Sequence, residues 1–141
     1  MILLASIIFS LVFHRICACR CGLKSRFEAF CGATWVAQAT IIEKNEDRGA
    51  NRIKYRAMIG KIYKGGKRAD GEPMPIESSR TPGDCGVVDL EVGKTYLLAG
   101  DGANIIKMCP QLAFSQSTRP LEWKNAPKWL FWTLSKASIL C

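Results

Sequence analysis

Apolar and polar residues alternate along two stretches in the first half of the chain, which is the pattern of half-buried β-strands. The first stretch runs from Trp35 to Glu43, and the second runs from Ile53 to Tyr63. The segment between them, Asn45 to Asn51, is polar, contains a glycine and predicts a turn. We therefore expect the two strands to form an antiparallel hairpin.

Three shorter segments predict further strands. Met74 to Ser79 contains Pro75 and directly follows Pro73, and these two prolines restrict it to the edge of a sheet because proline has no amide hydrogen to donate. Thr95 to Ala99 and Asn104 to Met108 are apolar and flank Gly100-Asp101-Gly102, which predicts a hairpin turn.

Two segments near the ends of the chain have helical spacing. Ser25 to Ala33 has apolar residues at positions i, i+3 and i+4. Lys128 to Ile139 repeats the pattern, and Pro127 suits a first helical turn. Five short strands with flanking helices predict a mainly β fold. A small closed or partly closed barrel is expected, of which the oligonucleotide/oligosaccharide-binding (OB) type is one.

The N-terminus has the pattern of a secretion signal. Its first thirteen residues are uncharged and nearly all apolar. This run is shorter than the roughly 20 residues of a membrane-spanning helix but typical of a signal peptide. We expect cleavage between Ala18 and Cys19, so that residues 1–18 are a signal peptide and residues 19–141 are one secreted domain. A buried N-terminal strand or helix is the alternative.

This cleavage changes the candidate chemistry. It removes Cys17 and leaves an even number of cysteines, which predicts three disulfides with fifteen possible pairings. It also removes His14, the only histidine, and with it any Ser-His-Asp triad, Cys-His pair or histidine metal site. We expect no enzymatic activity and no cofactor of the protein's own.

The formal net charge of +8 favours acidic partners, such as sulfated glycans or acidic protein surfaces. A Gly- and Lys-rich loop, Gly65 to Gly71, places Lys67 and Arg68 near Lys64 as candidate glycan contacts, although such loops are often only solvated. No run of five basic residues occurs, so nucleic acid is not expected as a partner. A membrane partner is not expected either, and the protein is expected to be a monomer.

The segment that starts Cys19-Arg20-Cys21 and ends Ala29-Phe30-Cys31 resembles the N-terminus of tissue inhibitors of metalloproteinases. That family begins its mature chain with Cys-x-Cys, followed after nine residues by a third cysteine. The likeness continues through Trp35-Val36-Ala37-Gln38-Ala39, Cys85-Gly86-Val87 and Tyr96-Leu97-Leu98-Ala99-Gly100. It covers essentially the whole of residues 19–141.

The resemblance implies a five-stranded netrin-like barrel with the disulfides Cys19–Cys85, Cys21–Cys109 and Cys31–Cys141. It also implies that the α-amine and carbonyl of a mature N-terminal Cys19 bind the catalytic zinc of a matrix metalloproteinase-like enzyme. The zinc belongs to the protease. The inhibitory surface, here called the wedge, consists of Cys19, Arg20, Cys21, Gly22, Gly83, Asp84 and Cys85.

The chain departs from the family inside this wedge. Arg20 stands where the family usually has Thr or Ser, and this residue enters the main specificity pocket of the protease. Gly22 and Leu23 occupy the stretch where the family has a proline, and Asp84 replaces an apolar or small residue. We expect shifted protease selectivity or weak inhibition of common targets.

Three other interpretations stay open. In the first interpretation, the Cys-x-Cys motif only holds the fold together and does not inhibit a protease. In the second, the domain is a netrin-like binding module for a glycan or protein, with weak or no inhibition. In the third, Ile16-Cys17-Ala18-Cys19 is a bacterial lipidation box, which would consume the thiol of Cys19.

Overall fold

The computed structural model describes residues 19–22, 24–66, 73–115, 117 and 119–141. The predicted signal peptide lies outside these residues, as do Leu23, Lys67 and Arg68. The strands are β1 (Trp35–Asp47), β2 (Arg52–Lys64), β3 (Pro73–Ser79), β4 (Thr95–Asp101) and β5 (Ile105–Ile106). They close into a barrel in the order β1-β2-β3-β5-β4, which confirms the predicted barrel fold. The helices are α1 (Arg26–Gly32), α2 (Met108–Phe114) and α3 (Lys128–Leu140).

The hairpin of β1 and β2 is antiparallel, as predicted, but longer than expected. The expected turn from Asn45 is wrong at its start, because residues 45–47 continue β1 and the turn occupies residues 48–51. Cross-strand ion pairs line this polar extension. Glu43 lies 3.4 Å from Arg56, and Asp47 lies 3.7 Å from Lys54. Opposite charges across an antiparallel pair favour continued pairing beyond the apolar core.

The edge position predicted for β3 is only partly right, because closure of the barrel places β3 between β2 and β5. Its pairing with β5 is the single parallel match of Glu77 with Ile105. Among the described residues, the half of β3 that contains Pro73 and Pro75 pairs with β2 alone. That half therefore keeps one unpaired side, where a missing amide hydrogen costs little.

The strand predicted for Asn104 to Met108 is wrong over most of its length. β5 has only two residues, and Met108 starts α2, which the sequence pattern did not indicate. The turn predicted at Gly100-Asp101-Gly102 is also displaced, because Gly100 and Asp101 belong to β4 and residues 102–104 form the turn. A Cβ at Gly100 would overlap the Trp35 indole. The absence of a side chain at Gly100 is therefore explained by the close approach of Trp35 and not by a turn.

The predicted terminal helices are confirmed with small shifts of their ends. The Ser25 hydroxyl accepts the amide hydrogen of Glu28, and the Glu28 carboxylate accepts that of Ser25, so α1 begins with a capping box. The hydrogen bond from the Ser25 amide to the carboxylate lowers the pKa of Glu28, because it favours the charged form. Pro127 precedes α3 as its N-cap residue.

The apolar side chains form two layers. Inward residues of the strands fill the barrel, and they include Tyr55, Ile76 and Leu98. Outward residues of β1 and β4, such as Val36 and Leu97, pack with the helices in a second cluster. Both faces of β4 are therefore buried, and the helices are held against the outside of the barrel.

Candidate functional site

Two disulfides attach the N-terminal segment to the side of the barrel. Cys19 is bonded to Cys85 and Cys21 to Cys109, with Cα–Cα distances of 4.9 and 5.1 Å. A third disulfide joins Cys31 in α1 to Cys141 after α3, with a Cα–Cα distance of 5.5 Å. These are the pairs that the family resemblance implies. They bring together wedge residues that are more than sixty positions apart in the chain.

The two wedge disulfides lie against each other. The Cys109 sulfur is 3.6 Å from that of Cys19 and 3.8 Å from that of Cys85. Such spacing of three sulfurs would suit a metal ion if they were thiolates. Here all three atoms belong to disulfides, which offer no thiolate ligand. The cluster is therefore a covalent anchor for the N-terminal segment.

The second part of the wedge is one 3₁₀ turn, Pro82–Asp84, which the sequence pattern did not indicate. The Cys85 amide donates to the Pro82 carbonyl at 3.0 Å. Cys85 itself has φ of 59°, a left-handed conformation that few side chains adopt. The turn is tied to the β1–β2 turn, because the Asn51 side-chain amide donates to the Thr81 hydroxyl at 3.0 Å.

Buried polar side chains support the chain directly after Cys85. The Ser78 hydroxyl accepts the Val87 amide hydrogen at 2.7 Å and donates to the Ile106 carbonyl at 2.9 Å. The Tyr55 hydroxyl donates to the Val87 carbonyl at 2.8 Å. Burial raises the pKa of Tyr55, so its hydroxyl keeps the proton that it donates. The base of the wedge is thus bonded to β2 and β3.

Helix α2 holds the other anchoring cysteine. The Gln111 side chain is fully buried and bonds both to the amide and to the carbonyl of Ala99 in β4, at 2.8 and 2.6 Å. The Met108 amide donates to the Cys85 carbonyl at 2.8 Å. Cys109 is therefore fixed to the barrel and to the loop that carries Cys85. These contacts explain why the chain leaves β5 and turns into a helix here.

Ser78 and Gln111 support the site, but sequence reasoning missed both. Ser78 lies in a predicted strand, and Gln111 lies in a segment with no predicted element. Gln111 stands among apolar residues, but this signal does not identify a partner distant in the chain, and Ser78 stands among polar neighbours that give no signal.

Replacing Ser78 by alanine is expected to lower the free energy of unfolding by about 2–6 kcal/mol. The change leaves the Val87 amide and the Ile106 carbonyl without their buried partner, at about 1–3 kcal/mol for each group. Denaturant unfolding with intact disulfides measures the loss. Ser135→Ala, in an exposed position of α3, is the control and should change the free energy little. Equal stability of the two variants would contradict the supporting role of Ser78.

The remaining wedge residues face solvent. Arg20, Gly22 and Asp84 are exposed, and Gly83 is half-buried. Asp84 accepts a long hydrogen bond of 3.5 Å from the Ser79 hydroxyl. Two cavities of about 480 and 200 Å³ lie in the described part of the chain, and no wedge residue lines either of them. The wedge is therefore an exposed or half-buried surface that is separate from both cavities.

Lys64, a candidate glycan contact, has a role within the fold. Its amine donates to the carbonyl oxygens of Phe30 and Cys31, near the C-terminus of α1. A cation in this position satisfies carbonyls that have no partner within the helix. The other two candidates of that loop lie outside the described residues.

A family model described as tissue inhibitor of metalloproteinase matches residues 16–118 of the chain. The chain belongs to this family. Members of the tissue inhibitor of metalloproteinase family are inhibitors rather than enzymes, and they are generally extracellular. No helix among the described residues is both long and apolar enough to cross a membrane.

The chain is also similar to a protein of Caenorhabditis elegans that bears the name "Putative metalloproteinase inhibitor tag-225". The two are 28% identical over 145 residues. The match covers 90% of this chain and 91% of the relative, so it includes the wedge and the barrel.

Proposed function

We propose that this member of the tissue inhibitor of metalloproteinase family is a secreted inhibitor of zinc metalloproteases that acts through Cys19. Membership of the family and the name of the nematode relative support inhibition of metalloproteinases. The observation that carries the proposed mechanism is the double tether of the N-terminal segment. Cys19 and Cys21 are each bonded to an element that is itself hydrogen-bonded to the barrel.

Removal of residues 1–18 would give Cys19 a free α-amine. Such an amine has a pKa near 8, so a useful fraction is neutral at physiological pH and has a lone pair for a metal. The amine nitrogen and the carbonyl oxygen of the same residue can form a five-membered chelate. A catalytic zinc keeps one coordination position open for the attacking water. A backbone that takes this position excludes the water and stops hydrolysis.

The disulfides contribute to affinity by holding the chelating atoms in place before binding. Fixing the backbone of a free terminus costs about 1–2 kcal/mol per residue. Here the terminus is already ordered in the folded protein, so binding to the protease does not lose this conformational entropy. The contacts of Ser78, Tyr55 and Gln111 extend this rigidity from the two cysteines to the barrel core.

The test is an inhibition assay with a panel of zinc metalloproteases and a serine protease as the negative control. The protein must first be shown by intact mass to begin at Cys19 with three disulfides. We expect inhibition of at least one zinc protease at a ratio of one to one, and none of the serine protease. No inhibition across a broad panel would overturn the proposal.

Arg20 suggests the class of protease that is targeted. Its side chain is exposed on the wedge, and it makes no ion pair with another described residue. A guanidinium placed in an apolar pocket would lose its hydration without compensation. We therefore expect targets whose specificity pocket contains a carboxylate or opens to water.

Replacing Arg20 by threonine is expected to strengthen inhibition of proteases with an apolar pocket by about tenfold, which corresponds to about 1.4 kcal/mol. Inhibition of proteases with an acidic pocket should weaken by a similar factor. Inhibition constants for both classes check the prediction. Lys136→Thr on α3 removes an equal charge outside the wedge and should change neither constant. Unchanged selectivity in the Arg20 variant would exclude this residue from the pocket.

The net charge of +8 also favours the alternative of a glycan-binding module. The paired arginines of β2 weaken this alternative, since Arg52 and Arg56 already contact carboxylates at 2.9 and 3.4 Å. Retention on heparin that survives replacement of Arg20 and Asp84, together with no protease inhibition, would support it.

A further inference from the structure

Helix α3 exposes large apolar side chains on the side that faces away from the barrel. Trp132 is 74% exposed, Ile139 is 85% exposed and Leu140 is 71% exposed. The opposite side of the helix is buried through Leu130 and Leu134. The exposed residues therefore have no role in the core of this domain, and a patch of this kind marks an interaction surface.

Helical spacing places these residues on one face. Trp129, Trp132 and Lys136 are separated by three and four positions, so their side chains lie one above another. Trp129 is 45% exposed and carries the guanidinium of Arg26 over its ring, at 4.6 Å from the ring centre. Lys128 is exposed and begins the same helix. We call this surface the tryptophan face; it consists of Lys128, Trp129, Trp132, Lys136, Ile139 and Leu140.

The charges that α3 and the segment before it contribute have a single sign, although Asp89, Glu91 and Glu122 line the cavity beside Trp129. From Trp123 to Cys141 the chain contains three lysines and no acidic residue. Two of the lysines, Lys128 and Lys136, are part of the tryptophan face and are exposed. A cationic surface with exposed apolar side chains is complementary to a partner that is negatively charged and has an apolar interior.

We propose that the tryptophan face binds an anionic lipid surface, with α3 lying in the plane of the interface. Tryptophan rings suit the boundary between headgroups and acyl chains, and lysines reach from there to the phosphates. Ile139 and Leu140 would enter the acyl region. This inference is independent of the proposed protease inhibition. It differs from the expectation from sequence that no membrane is a partner, and vesicle binding decides between the two.

The fold presents this helix in a fixed orientation. The Cys31–Cys141 disulfide ties the end of α3 to α1, and Leu130 and Leu134 anchor its inner side. The helix therefore needs no ordering when it meets a surface, unlike a free amphipathic peptide. A second copy of the chain fits the face less well, because a symmetric pair of α3 helices brings like-charged lysines together.

The test is co-sedimentation of the mature protein with two kinds of vesicle. One contains phosphatidylcholine alone, and the other contains phosphatidylcholine and phosphatidylserine at a molar ratio of 7 to 3. We expect the protein to bind to the mixed vesicles.

Trp132→Ser/Ile139→Ser should weaken this binding at least tenfold. Val92→Ser, which changes an exposed apolar residue outside α3, should not weaken it. Lys128→Gln/Lys136→Gln should weaken it by about 25-fold, since a lysine near an anionic surface contributes about 1 kcal/mol. Arg48→Gln/Lys107→Gln is the control for lost charge.

Circular dichroism and the disulfide map show whether each variant is folded. No binding of the folded protein to mixed vesicles would overturn the proposal, as would equal loss in the control variants. Dimerisation that Trp132→Ser/Ile139→Ser abolishes, without vesicle binding, would assign the face to a second copy. Binding to an acidic polypeptide such as polyglutamate, without vesicle binding, would assign it to a protein partner.

Discussion

A single alanine added before Cys19 is expected to abolish inhibition of zinc metalloproteases. The added residue converts the α-amine into an amide, whose nitrogen has no lone pair available for zinc, and it also occupies the space of the metal-bound water. We expect the inhibition constant to rise by about a thousandfold, equivalent to about 4 kcal/mol of binding free energy. Inhibition assays on proteins with verified N-termini measure this effect.

The matched control carries the same alanine after Cys141, at the other end of the chain. Both variants should have the three native disulfides and the same free energy of unfolding, because neither addition touches the core. If the N-terminally extended protein inhibits as well as the control, chelation by Cys19 is excluded. The barrel and its disulfides would stand in either case.

The double variant Cys19→Ser/Cys85→Ser is expected to inhibit more weakly although it keeps the chelating atoms. A mature serine at position 19 still offers an α-amine and a carbonyl, but the terminus is no longer tethered to the turn Pro82–Asp84. Ordering two residues on binding costs about 1–2 kcal/mol each. We therefore expect inhibition to weaken by about a hundredfold.

The variant Cys31→Ser/Cys141→Ser is the control that separates loss of the tether at Cys19 from loss of folding stability. That disulfide closes a separation of 110 residues, compared with 66 for Cys19–Cys85. The chain-entropy model gives losses of about 5 and about 4 kcal/mol for the two variants. Assays are made at a temperature where circular dichroism shows both to be folded. Equal inhibition by the two variants would mean that the tether at Cys19 serves stability alone.

Local sequence patterns determined a large part of this protein. The alternation from Trp35 and from Ile53 predicted the long hairpin, because side chains of a strand point alternately to core and solvent. Apolar residues spaced three and four positions apart near both ends predicted α1 and α3, because residues at this spacing lie on the same face of a helix. The Cys-x-Cys motif and its likeness to a known family predicted the barrel and indicated the wedge.

Contacts between distant parts of the chain decided the rest. Only the tertiary structure shows that Gly100 accommodates Trp35, and that Gln111 bonds to β4 from a helix that the sequence pattern did not indicate. The same holds for the support of Val87 by Ser78 and for the exposed side of α3. A sequence pattern reports the burial and spacing of neighbouring residues. The partner of a buried polar group or an exposed tryptophan depends on which distant segments the closed barrel brings together.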